Sequence, residues 1–207
     1  MDMTTPGSTA AFADVLAFWL GAYPLDGAAM QRVKPQWFTK SDAFDTLVRA
    51  RFGSTIEAAL AGELDVWAET AEGRLALLIV LDQFTRNAFR GQPPSFAGDA
   101  RALALAQQGL ALGHDQQAPP MARIFFYLPL EHAEDLALQR QSVALFQRLA
   151  DEATPDLEAF FDGTLDYAHK HEAVIRRFGR FPHRNAILGR DSTPEEKDYL
   201  AQPGAGF

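Results

Sequence analysis

Leu75-Ala76-Leu77-Leu78-Ile79-Val80-Leu81-Asp82-Gln83-Phe84-Thr85-Arg86-Asn87-Ala88-Phe89-Arg90-Gly91 is the stretch on which the fold turns. Its first seven residues are apolar on every side, as a fully buried element requires. A short apolar run of this kind fits either a buried strand or a buried helix. The residues that follow decide between them. Asp82, Arg86 and Arg90 continue at i, i+4 and i+8, the spacing of one helix face, and Gly91 stands where a C-cap belongs. Thr70 is placed to start the element. The stretch therefore predicts a central buried helix with a polar face near its C-terminal end.

The flanking sequence repeats the helical pattern. Phe12, Val15, Leu16 and Trp19 recur at helix spacing before Gly21 and Pro24. Ser41 can cap a helix with Phe44, Leu47, Val48 and Phe52 on one face, and Gly62 can end it. Phe96 to Leu112 reads as an alanine-rich helix and Met121 to Leu128 as another, ended or kinked by Pro129. Leu138, Ser142, Leu145, Phe146 and Leu149 form one face of a further helix. Thr154-Pro155 opens a long one reaching about Phe178, and Thr193-Pro194-Glu195-Glu196 caps a short last one. No hairpin signal interrupts them. The expectation is an all-α fold, a compact array of antiparallel helix pairs forming one domain over residues 1–207, with ends at about 1–8 and 202–207 frayed.

Composition narrows the function classes. With 19 Lys+Arg against 27 Asp+Glu, the net charge is −8. A general nucleic-acid binder needs a basic face, so none is expected. The chain has no cysteine, which removes disulfides, thiolate metal sites and cysteine nucleophiles. Met1-Asp2-Met3-Thr4 lacks a basic leader region, and no apolar run is long enough to span a bilayer. A cytoplasmic location without membrane partners is expected.

Against that acidic background, the cationic residues are concentrated late in the chain. His171, Arg176, Arg177, Arg180, His183, Arg184, Asn185 and Arg190 fall within one short segment. Guanidiniums at that density are either engaged in ion pairs or aimed at an anion. Pro182 forces an extended or turning path, from which His183, Arg184 and Asn185 project. Arg180 and Asn185 suit structural ties, and His183 and Arg184 are the more available pair. His171 lies in line with Tyr167, Val174, Ile175 and Phe178 on an apolar face. His169 lies in line with Asp162, Asp166 and Glu172 on a polar one. His171 should therefore be buried and His169 exposed.

A third polar group is Glu131, His132 and Asp135. His132, Asp135 and Gln139 fit one stripe after Pro129, and a histidine beside carboxylates can serve as a general base. Acids there also match the first turn of a helix. No ligand set convincing enough for a metal is present, and no cofactor motif is found.

The segments Leu81–Gly91, Tyr127-Leu128-Pro129-Leu130-Glu131-His132-Ala133-Glu134-Asp135 and His171–Glu196 together resemble the bacterial domain of unknown function 924 family, over nearly the whole chain from about Val15 to Leu200. The resemblance implies a tetratricopeptide-like helical fold and no agreed activity. Thr85 stands where the family pattern suggests proline, and Ala133 where it suggests serine. No clean repeat of about 34 residues is present, so any tetratricopeptide likeness is degenerate.

The expected site is a polar pocket to which Asp82, Arg86, Asn87, Arg90, Glu131, Arg180, His183, Arg184 and Asn185 contribute ligand contacts. The three polar segments would converge on it. An anionic small molecule or an acidic peptide is the expected partner. One alternative is a hydrolase-type enzyme with His132 or His171 as general base and arginines orienting a carboxylate or phosphate. Another is a structural or interaction protein without a pocket.

Overall fold

The computed structural model describes residues 9–206. Among these the chain is all-α, with no strand. The helices are α1 (Phe12–Leu20), α2 (Gly27–Trp37), α3 (Asp42–Ala61), α4 (Ala71–Leu78), α5 (Thr85–Ala88), α6 (Asp99–Ala111), α7 (Pro120–Glu131), α8 (Leu136–Asp151), α9 (Glu158–Phe178) and α10 (Pro194–Leu200). The chain divides into two compact units, Met1–Pro129 and Leu130–Phe207.

In the first unit the apolar run is buried from Gly73 to Thr85. It is one continuous helical path, but Ile79–Phe84 forms a π-helical turn between α4 and α5. The wider turn takes carbonyls out of the ordinary ladder, and side chains engage them. Thr85 Oγ1 donates to Leu81 O at 2.8 Å, and Arg86 Nη1 donates to Asp82 O at 2.8 Å. The neighbouring backbone comes so close that a Cβ on Gly98 would lie 2.1 Å from Leu81 O. Around the run pack Trp19, Phe52, Phe84 and Phe125, with Phe52 and Phe84 centroids 4.7 Å apart and Trp19 and Phe125 5.9 Å apart. Trp37 closes on Phe125 at 5.1 Å and donates its Nε1 hydrogen to Trp19 O.

Several boundaries depart from the sequence reading. Leu47 is exposed although Val48 and Phe52 beside it are fully buried. The helix expected over Phe96–Leu112 begins only at Asp99, after a 3₁₀ turn at Pro93–Phe96. Pro129 does not end α7, which runs on to Glu131. Pro129 offers no N–H to the Phe125 carbonyl, and only Leu130 and Glu131 of the helix follow it.

The second unit is built on α8 and α9, packed along their lengths. The connection Glu152–Leu157 is short, as antiparallel neighbours require. α9 starts at Glu158, later than its Thr154-Pro155 signal, because Thr154–Leu157 forms a turn first. Asp135 caps α8, accepting from the Ala137 and Leu138 amides. Gln139 Nε2 seals the end of α7, donating to Glu131 O at 2.5 Å and Ala133 O at 2.8 Å. His132, Asp135 and Gln139 are therefore not a stripe of one helix, since the chain leaves the helical path between Glu131 and Leu136. α10 carries the expected capping box between Thr193 and Glu196. Residues 202–206 form hydrogen-bonded turns, and 1–8 and 207 of the expected frayed ends lie outside the described residues. No described helix is long and apolar enough to cross a membrane.

Candidate functional site

The polar face of the first unit is a set of ion pairs. Arg86 reaches Asp82 at 3.0 Å and forks onto both oxygens of Asp99 at 2.8 and 3.1 Å. Arg90 takes Asp45 on α3 with Nε and Nη2, at 2.5 and 2.9 Å, and Asn87 donates to the same carboxylate at 2.7 Å. Burial would raise the Asp45 carboxyl, but those hydrogen bonds outweigh it and hold the group below its usual range. Asp82, Arg86 and Arg90 do not form one continuous face. The π turn shifts the helical phase, α5 ends at Ala88, and Arg90 swings to a partner 45 residues away.

The second unit assembles the other candidates around one aromatic ring. Phe181 is fully buried against Val174 and Ile175. The His171 ring meets it edge-on at 5.5 Å, the His183 ring lies 5.5 Å away, and the Arg184 guanidinium carbon stands 4.5 Å from its centroid. His132 faces His171 at 6.2 Å. Three imidazoles and a guanidinium from α9, the end of α7 and the Pro182–Arg184 turn thus share one locality. The His132 turn and the Arg180–Asn185 loop converge here. Arg86 and Arg90 belong to the first unit.

Helical phase explains His171. It is 7% exposed, whereas His169 is on the solvent face. Tyr167, assigned to the same apolar stripe, is in fact half exposed. His171 Nδ1 lies 2.9 Å from Tyr167 O and 3.2 Å from Glu131 Oε1. Both are acceptors, so Nδ1 carries the proton and, in the neutral ring, Nε2 carries the lone pair. Burial, and then the neighbouring His132, push the His171 ring down to about 3. His183 is pushed down to about 4 by burial and then by Arg184. Both rings are neutral near pH 7.

A second layer of charge holds the loop. Glu134 Oε1 accepts the Phe181 amide at 2.8 Å, and both Glu134 oxygens take Arg190 at 2.7 and 2.9 Å. Burial would raise Glu134, but Arg190 and that amide lower it. Arg190 also donates to Phe181 O and Asn185 Oδ1. Arg180 forks onto Glu196 at 2.6 and 2.8 Å, and fully buried Asn185 donates to Ser192 Oγ and Glu196. Arg180 and Asn185 thus tie the loop to α10, and Arg184 and His183 are turned to the Phe181 cluster. The sequence reading missed Phe181 as the hub and Glu134 as the clamp. A lone phenylalanine before proline reads as packing, and Glu134 reads as an acid matching a helix dipole. Among the described residues no group of three or more His, Cys, Asp or Glu is placed to hold a metal ion.

An all-α fold with a histidine- and arginine-rich locality behind its last long helix defines the class. The model of a family of bacterial proteins of unknown function, DUF924, matches residues 15–204, and the chain belongs to that family. It is similar, at 42% identity and a TM-score of 0.77, to the solved structure of a protein of unknown function from Agrobacterium tumefaciens, over 92% of this chain and 96% of that one. No protein of curated function matches.

Proposed function

We propose that the second unit binds an anionic small molecule, or the acidic end of a peptide, at the Phe181 cluster. The observation that carries this reading is the gathering of His171, His183 and Arg184 around the Phe181 ring, with His132 beside His171. Burial, and then His132 at His171 and Arg184 at His183, lower the affinity of those rings for protons, and an anion would oppose the second of these effects. Guanidinium and imidazole donors are the groups that recognise carboxylate and phosphate oxygens. His132 and His183 are only partly buried, which gives a ligand a way in.

The hydrolase reading has one observation in its favour. Glu131 and Tyr167 O fix His171 in the tautomer that presents a basic Nε2, the arrangement of an oriented general base. Its low proton affinity weighs against it, because an efficient base titrates near the working pH.

Thermal unfolding in sulfate, phosphate and succinate, against chloride at equal ionic strength, tests the binding reading. The anions should raise the melting temperature by mass action. His183→Gln should abolish most of that gain. An equal gain in the variant would remove the reading.

A further inference from the structure

A different pair of buried polar side chains lies on α8. Gln139 and Ser142 are fully buried. Gln139 Oε1 and Ser142 Oγ have no hydrogen-bond partner among the described residues, and so do not bond each other. They stand three residues apart on one helix, which puts them on one face with Cβ atoms about 5–6 Å apart. Neither atom has an easy way out. Gln139 Nε2 is held by Glu131 O at 2.5 Å and Ala133 O at 2.8 Å. Turning the amide over would set its oxygen against those two acceptors, so the direction of Oε1 is fixed. A helical serine commonly donates to the carbonyl four residues back, here Leu138 O, and Ser142 does not. A buried acceptor and a buried hydroxyl left open on one face call for a common partner. Arg140 Nε lies 4.0 Å from Glu172 Oε1, which sets this turn of α8 against the turn of α9 that carries Ala168 and His171. Ala168 is the smallest of the buried side chains of α9 and takes up the least space at that level.

We propose that Gln139 and Ser142 hold one buried water molecule between them. Size and chemistry both point to water. Side chains fully buried by the protein itself leave no room for a larger ligand. The occupant must donate to Gln139 Oε1 and either donate to or accept from Ser142 Oγ. Water does both, and these bonds are two of the two to four that an internal water makes. The site does not depend on the anion reading above. The water holds the far side of the same amide that closes the carbonyl end of α7, next to the Glu131 carboxyl that meets His171 Nδ1 at 3.2 Å.

A crystal structure of the unaltered protein, at a resolution that shows ordered solvent, tests this first. One water should lie about 2.7–3.2 Å from both Gln139 Oε1 and Ser142 Oγ. No water there, or Ser142 Oγ bonded directly to Leu138 O or to Gln139 Oε1, would overturn the proposal. Ser142→Ala supplies an independent measurement. Alanine fits the same space and is the better helix former. If the hydroxyl were an orphan, its removal would leave the folding equilibrium constant unchanged or raise it. A hydroxyl bridged by water predicts the opposite. Urea unfolding of Ser142→Ala should give a constant lowered at least about threefold, because the water and Gln139 Oε1 lose a partner. A smaller loss, or a rise, would overturn the proposal.

Discussion

Lowering the pH from about 7.5 to 5.5 should destabilise this protein well before its carboxylates titrate. The reason lies in His171 and His183. Each has an ordinary value of 6.5, and the fold lowers them to about 3 and about 4. A lowered base is neutral in the folded state at pH values where the unfolded chain binds a proton. Protons then favour unfolding. The loss begins as pH falls through 6.5 and continues toward the folded value. At about pH 5.5 each ring costs about 1.4 kcal/mol, and the two together about 2.8 kcal/mol, against almost nothing at about pH 7.5. His114, lowered by burial and then by Arg74, adds in the same direction. Urea unfolding followed by circular dichroism in an anion-poor buffer measures the difference. His171→Asn keeps an amide donor for Tyr167 O and removes one titrating ring, so its pH dependence should be shallower by about half. Stability that stays flat or rises between about pH 7.5 and 5.5 would refute the reasoning, and so would a variant with an unchanged slope.

Two further outcomes rest on other contacts. Glu196, held down to about 2 by Arg180 and then by the Thr193 amide, contributes stability that is present above the ordinary carboxylate range and lost as pH falls toward 2. Glu196→Gln should cost about 2–3 kcal/mol at neutral pH in denaturant unfolding, and loss of less than about 0.5 kcal/mol would mean the α10 tie is dispensable. Gly98→Ala should cost more than about 2 kcal/mol, because its Cβ meets Leu81 O at 2.1 Å. Gly91→Ala, with open space around it but a φ of +75°, should cost only about 1–2 kcal/mol. The reverse order in melting experiments would show that the π turn yields easily.

How far the sequence reveals this site depends on the residue. The burial of Leu75–Leu81 follows from an apolar run with a helical tail, and the opposite environments of His171 and His169 follow from helical phase. The π turn does not follow, because a run apolar on every side carries no phase information. Arg90 cannot be matched to Asp45 from spacing, since the two meet only through packing of α3 against α5. Arg184 illustrates a different gap. Its place on the loop makes it look available, but it is 6% exposed and stacked on Phe181. Its replacement by alanine therefore carries a folding cost as well as any loss of ligand. His132 and His183 are the cleaner probes.

Crystals grown without sulfate or phosphate and then soaked in selenate, a tetrahedral dianion with an anomalous signal, test the binding reading most directly. The account predicts an anomalous peak with oxygens about 2.7–3.2 Å from donors of His183 and Arg184. The same peak should be absent in His183→Gln crystals. Selenate bound only at other arginines, or none in the structure at high concentration and about pH 5.5, would contradict it.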